Sequence, residues 1–173
     1  MHIDIQSLVE GINPFRLDDA PDGLVLPTDE ATFPAPISVV GVLTKTGNNL
    51  VLHATMSTIA MLECSRCLAS YPERITGEVD VLYQRAERGA PVVFIREQVD
   101  EMETIGYDAK RVEIGWRIEE VIRLALPLKP LCREDCRGLC SICGTNLNES
   151  VCDCRQESED PRWQVLKTMF KSH

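Results

Sequence analysis

The sequence predicts an α+β fold: an antiparallel β-sheet with one long packing helix, continued by a C-terminal Cys-rich module. Three observations predict it. Two runs suited to strands, Ile37 to Thr46 and Asn49 to Glu63, flank a Gly-Asn turn. One apolar stripe with helical spacing runs from Val112 to Leu126. Six of the eight cysteines then fall between Cys132 and Cys154.

Residues 1–36 read as a lead-in. Ile3 and Ile5 alternate with His2, Asp4 and Gln6, and five prolines between Asn13 and Pro36 argue for irregular structure lying against the core. Ile37 to Thr46 is β-branched. From Asn49 onward Leu50, Leu52, Ala54 and Met56 face one side while Val51, His53, Thr55 and Ser57 face the other. Thr46-Gly47-Asn48-Asn49 joins the two runs as a hairpin, because Gly and Asn tolerate positive φ. A third strand is expected at Arg74 to Tyr83 and a fourth at Pro91 to Arg96, giving an antiparallel meander. Glu97, Asp100, Glu101 and Glu103 read as a solvated loop, and His53 as an exposed or hydrogen-bonded strand residue rather than a ligand.

In the helix, Ile114, Ile118, Val121, Ile122 and Ala125 form the apolar stripe, with Arg117, Glu119, Glu120 and Arg123 facing away. Pro127 stops it, and Pro130 keeps the chain extended into the cysteine array. Past the array, Asp160-Pro161 starts a short amphipathic helix bearing Trp163, Leu166, Met169 and Phe170. The chain thus divides into a core domain, residues 1–126, and a Cys-rich module with its terminal helix, residues 127–173, tied to the core through Cys64 and Cys67.

Composition bounds the chemistry. A hydrophobic content of 44% supports a packed core, but only 5% of residues are aromatic, so that core is mostly aliphatic. The net charge is −9, with 18 Lys and Arg against 27 Asp and Glu, which disfavours binding to a phosphate backbone. No stretch has membrane-spanning length, and the N-terminal MHIDIQSLVEGINPF carries Asp4 and Glu10 where an export signal would be apolar. The expected setting is therefore the reducing cytoplasm, where closely spaced thiols serve as metal ligands more often than as disulfides. No G-x-G-x-x-G, G-x4-G-K-[ST], G-x-S-x-G or H-E-x-x-H motif occurs.

Cys64, Cys67, Cys132, Cys136, Cys140, Cys143, Cys152 and Cys154 are the candidate ligands. Zinc suits them because it takes four thiolates in a tetrahedron, so eight cysteines make one or two sites. Cys140 and Cys143, followed by Gly144, form a tight turn that presents two sulfurs to one ion, and Cys152 and Cys154 would complete the set. Elimination leaves Cys64 and Cys67 with Cys132 and Cys136, although spacing alone leaves an interleaved pairing open. Cys136, Cys140 and Cys143 also match the C-x3-C-x2-C spacing of iron-sulfur radical enzymes, but only thirty residues follow Cys143. A redox role for Cys64 and Cys67 would want a helix after Cys67, and Leu68-Ala69-Ser70-Tyr71-Pro72 does not start one. The three histidines lie far from the cysteines in sequence, so a structural ion is expected rather than a catalytic one.

The order of these pieces resembles the YceD family, also described as large ribosomal RNA subunit accumulation proteins. The resemblance rests on Cys64-Ser65-Arg66-Cys67-Leu68 after an apolar strand, on Leu124-Ala125-Leu126-Pro127 at the helix end, and on Leu131-Cys132. It continues through Gly138-Leu139-Cys140-Ser141-Ile142-Cys143-Gly144-Thr145-Asn146-Leu147-Asn148, Cys152-Asp153-Cys154 and Asp160-Pro161-Arg162-Trp163. Ser141 stands where the family commonly has proline. The resemblance implies a bacterial or organellar factor required for 23S ribosomal RNA accumulation and large-subunit biogenesis, and it supplies no catalytic residue. With this charge, the expected partner is a basic ribosomal large-subunit protein or assembly factor. The rivals are a zinc module that binds ribosomal RNA directly, with Arg66, Arg133, Arg137 and Arg155 on one face, and an iron-sulfur or redox protein.

Overall fold

The computed structural model describes residues 1–88 and 102–154. Among these residues seven strands and one α-helix follow in order: β1 (His2–Asp4), β2 (Gly11–Asp19), β3 (Ile37–Thr46), β4 (Asn49–Glu63), β5 (Ser70–Arg85), β6 (Met102–Ile105), β7 (Arg111–Glu113) and α1 (Gly115–Ala125). Five of the strands form one sheet in the order β2-β3-β4-β5-β6, and β1 pairs with β7 as a separate two-stranded ribbon.

Strict alternation makes the sheet one-sided. Along β4, Leu50, Leu52, Ala54, Met56, Thr58, Ala60 and Leu62 are buried, while Asn49, Val51, His53 and Thr55 face out. The meander β2-β3-β4-β5 is antiparallel, as the hairpin turn requires, with Thr46 opposite Asn49. β6 departs from the expected meander: it runs parallel to β5, with Tyr83 opposite Glu103, so the sheet is mixed. A parallel neighbour needs a long connection, and sixteen residues separate Arg85 from Met102. The strand expected at Pro91 to Arg96 lies outside the described residues, as do Glu97, Asp100, Glu101 and the terminal helix.

Two further expectations are corrected. The irregular structure expected from Asn13 to Pro36 begins only after Asp19: Gly11–Asp19 forms β2, paired with β3 from Gly11↔Lys45 to Asp19↔Ile37. Pro14 is tolerated because β2 is an edge strand, and its ladder uses only alternate amides. Residues 20–36 do lie irregularly against the core, burying Leu26 and Ala31. The helix is also shorter than its apolar stripe. Val112 belongs to β7, opposite Ile3, and the helical turns begin only at Gly115.

α1 packs on β5. Ile118 and Ile122 are fully buried with Ile114 and Val112, and at Gly77 the helix comes close to the sheet. There an added Cβ would lie 2.3 Å from Val121 Cγ1. The loop before β3 straps the helix: the Val25 amide donates to Glu119 Oε1 at 2.9 Å, and Arg123 donates to the Val25 carbonyl at 3.0 Å. Glu103, expected in a solvated loop, is instead held in β6, 3.0 Å from Arg117, with both side chains less than one-fifth exposed. Arg117 also reaches Glu120 at 3.3 Å and lies 3.9 Å above the Trp116 ring. Leu126 leaves the helix in an extended conformation because Pro127 follows it.

Candidate metal centre

β4 and β5 are the longest strands and pair along their whole length, from Asn49↔Gln84 to Glu63↔Ser70. The turn that joins them is Cys64 to Ala69. The Cys64 amide donates to the Ala69 carbonyl at 3.0 Å and closes the hairpin, and the Leu68 amide donates back to the Cys64 carbonyl at 2.9 Å. Leu68 adopts φ 59°, a left-handed conformation that a branched side chain rarely takes. In this turn Cys64 and Cys67 are buried, on the same side.

The same hydrogen-bond pattern recurs 76 positions later. The Cys140 amide donates to the Thr145 carbonyl at 2.8 Å, the Gly144 amide donates to the Cys140 carbonyl at 2.9 Å, and Gly144 has φ 73°. The two C-x2-C turns are thus one local structure built twice, with Leu68 in the place that Gly144 holds in the second.

The eight thiols gather in two sets of four. Cys64, Cys67, Cys132 and Cys136 form one, and Cys140, Cys143, Cys152 and Cys154 the other; within each set all sulfurs lie within 4.8 Å of one another. In the first, Cys64 Sγ is 3.7 Å from Cys136 Sγ and Cys67 Sγ is 3.6 Å from Cys132 Sγ. A disulfide would bring two sulfurs to about 2.0 Å. A tetrahedral zinc with Zn–S bonds of about 2.3 Å would hold its sulfurs roughly 3.8 Å apart. The spacing therefore suits four thiolates around one ion.

Residues 130–139 wrap the first turn and bring the second pair of thiols to it. Ser65 donates its amide to the Pro130 carbonyl at 2.9 Å, and Leu139 donates to the Arg66 carbonyl at 3.1 Å. The Arg66 guanidinium donates to the Cys136 carbonyl at 2.8 Å. Gly138, with φ 76°, passes so close that an added Cβ would sit 3.0 Å from the Arg66 carbonyl oxygen. Asn148 joins the two sets: its Nδ2 donates to Cys136 Sγ at 3.3 Å, and its Oδ1 accepts the Arg137 amide at 2.8 Å. Sequence reading gave Asn148 and the carbonyl contacts of Arg66 no role. The signal available in the sequence is the pair of asparagines, Asn146 and Asn148, between the two halves of the second thiol set.

The electrostatics split the thiols of each set. Burial opposes ionisation of Cys64, but amide donors from Cys132, Arg66 and Cys67 outweigh it and bring that thiol down to about 6. The Thr145 hydroxyl and amide bring Cys143 to about 6 as well. Cys136 is lowered too, with burial opposed by Asn148 and the Gly138 amide, and Cys140 is lowered by the amides of Cys143 and Ile142. The neighbours move the other way. Cys132 rises to about 12 through burial and its Cys67 neighbour, and Cys154 rises to about 12 beside Cys143. Each set can hold some thiolates unaided, but four negative sulfurs within 4.8 Å need positive charge among them.

Burial separates the two sets. Cys64, Cys67 and Cys136 are buried and Cys132 half-buried, whereas Cys143 and Cys154 are exposed and Cys140 and Cys152 half-buried. Of the arginines expected to form a basic face for RNA, two make contacts within the module. Arg66 is committed to backbone carbonyls, Arg133 lies 3.6 Å from Asp135, and Arg155 is outside the described residues.

Comparison with known proteins follows the same residues. A family model described as "Large ribosomal RNA subunit accumulation protein YceD" matches residues 52–170, which take in most of β4, all of β5 and α1, and both thiol sets. An uncharacterized protein of Mycobacterium tuberculosis is 29% identical over 121 residues, covering 70% of this chain and 56% of its own length. The chloroplastic "Large ribosomal RNA subunit accumulation protein YCED homolog 1" of Arabidopsis thaliana is 25% identical over 172 residues, covering 83% of this chain and 52% of its own. Its Zea mays counterpart is 26% identical over 159 residues, covering 79% and 54%. The chain spans little more than half the length of these relatives. No solved structure matches.

Proposed function

The chain belongs to the YceD family, and from that premise we propose that it supports accumulation of large-subunit ribosomal RNA as a non-enzymatic factor in large-subunit biogenesis. The observation that carries the reading is the family match across residues 52–170, supported by the relatives from two plants that bear the same description. The partner we propose is a basic ribosomal protein or assembly factor. A net charge of −9 would steer such a protein toward the chain and repel a phosphate backbone.

In this reading each thiol set holds one zinc ion, Cys64, Cys67, Cys132 and Cys136 around the first and Cys140, Cys143, Cys152 and Cys154 around the second. Zinc supplies charge neutralisation and a four-way crosslink. Four protein ligands leave no open coordination position for a reacting water, which supports a structural role. Iron in the same thiolates would give a brown protein absorbing near 400 nm, so a colourless preparation with two zinc ions per chain is the expected result.

Affinity capture with and without ribonuclease tests the partner. A basic large-subunit protein or assembly factor retained after nuclease supports the reading. Loss of every ribosomal component after nuclease overturns it in favour of direct RNA binding. Depletion of the chain should lower the ratio of large- to small-subunit ribosomal RNA, and an unchanged ratio would refute the role itself.

A further inference from the structure

The two thiol sets are built to different standards, although their C-x2-C turns share one backbone pattern. The first set is drawn from distant parts of the chain. Cys64 and Cys67 form the turn of the longest hairpin, and Cys132 and Cys136 arrive from beyond the helix. Three of its four cysteines are buried, and Leu131, Leu139, Ala69 and Tyr71 pack around them. To open this set, the segment 130–139 must be lifted off the hairpin, breaking the Ser65, Arg66 and Leu139 hydrogen bonds together.

The second set is local. All four of its cysteines lie within fifteen residues, two of them are exposed, and Ile142 and Val151 beside them are 55% and 81% exposed. Among the described residues of this loop, 140–154, none is buried. It connects to the first set through the Leu147 amide on the Gly138 carbonyl, at 2.9 Å, and through Asn148.

Resting on the zinc reading above, we infer that the two sets are metal sites of unequal hold: the buried set keeps a structural thiophilic divalent cation, and the exposed set is an exchangeable site for the same class of ion. An incoming chelator or competing thiol reaches Cys143 and Cys154 without prior unfolding, whereas reaching Cys64 requires the module to detach. Occupancy of the second site then decides whether the loop that displays Ile142 and Val151 is ordered. Asn148 makes release sequential, because loss of the outer loop removes the amide that caps Cys136 Sγ.

The test uses the full chain loaded with zinc and challenged with a coloured chelator, while N-ethylmaleimide labels freed thiols and peptide mass mapping locates them. Release is expected in two phases of one ion each, the first at least tenfold faster, with label appearing on Cys140, Cys143, Cys152 and Cys154 before the other four. The Cys143→Ser, Cys154→Ser double variant should retain one ion and keep Cys64, Cys67, Cys132 and Cys136 protected. Asn148→Ala should speed the slow phase and leave the ion count at two. A single phase, earlier labelling of the buried set, or loss of both ions from the double variant would overturn the inference while leaving the zinc reading intact. Failure to take up zinc at all would sink both.

Discussion

The contact of α1 with the sheet is set by one residue without a side chain, and Gly77→Ala tests it quantitatively. An added Cβ would stand 2.3 Å from Val121 Cγ1, where two carbons prefer about 3.5–4.0 Å, so helix and strand must part by about an ångström or more. Val121 cannot turn aside freely, since a β-branched residue in a helix has one strongly favoured rotamer. Overpacking of this kind costs about 1–3 kcal/mol. Replacing glycine in a strand returns roughly 0.5–1 kcal/mol by restricting the unfolded chain, which leaves a net loss between about 0 and 2.5 kcal/mol. For a chain of this size that lowers the melting temperature by up to about 10 °C, read by circular dichroism with zinc held in excess for every variant. The decisive arm is the cycle with Val121→Ala. Removing the methyls should be costly in the parent and nearly free in Gly77→Ala, giving a coupling of about 1 kcal/mol or more. Additive effects in that cycle would refute the claimed approach of helix to sheet.

Three other outcomes are expected. Gly144→Ala places a side chain at φ 73° with no heavy atom within 4 Å of its Cβ, so the cost is conformational, about 1–2 kcal/mol, while Leu68→Gly should be neutral or stabilising; chelator competition at each site reads both, and equal losses would contradict the equivalence of the two turns. Tyr83→Phe should leave stability unchanged or raise it by up to about 1 kcal/mol, since the buried Tyr83 hydroxyl has no hydrogen-bond partner among the described residues; a clear loss in thermal melts would show that it has one. His53 should titrate above its ordinary 6.5, raised by its hydrogen bond to Asp80 and then by that carboxylate's charge, with Asp80→Asn bringing the proton NMR midpoint down. Because the folded value is raised, what the pair adds to stability is fully present below about 6.5 and fades as pH climbs through the folded midpoint.

The sheet was legible where side chains alternate. From Leu50 to Met56 the inward and outward residues of β4 are those the pattern assigns, because a one-sided sheet makes burial follow the period of two. It was not legible where long-range pairing overrides a local signal. Val112 continues the apolar stripe of α1, yet it is claimed by β7 opposite Ile3, a partner 109 positions away. Pro14 carries a breaker's signal but sits in an edge strand that accepts it, and nothing near Met102 announces a strand parallel to β5. The thiol turns were legible because C-x2-C geometry is local. The roles of Arg66 and Asn148 were not, since each is defined by a carbonyl or sulfur contributed from elsewhere in the chain.

The placement of the first thiol set explains how a module so poor in apolar burial can have a defined position. Among the described residues of 127–154 only Cys136 and Gly138 are buried, so hydrophobic burial offsets little of the roughly 1–2 kcal/mol per residue needed to order a backbone. Mounting two ligands on the closed end of the β4-β5 hairpin fixes half of a tetrahedron before the tail arrives, because fifteen paired positions already hold Cys64 and Cys67 in place. Cys132 and Cys136 then need only complete it, and on the proposed zinc reading an ion bound there would organise residues 130–139 in one step. On the proposed zinc reading the expected order of assembly is sheet first, buried ion second and outer loop last, since that loop's Leu147 and Asn148 dock onto Gly138, Cys136 and Arg137.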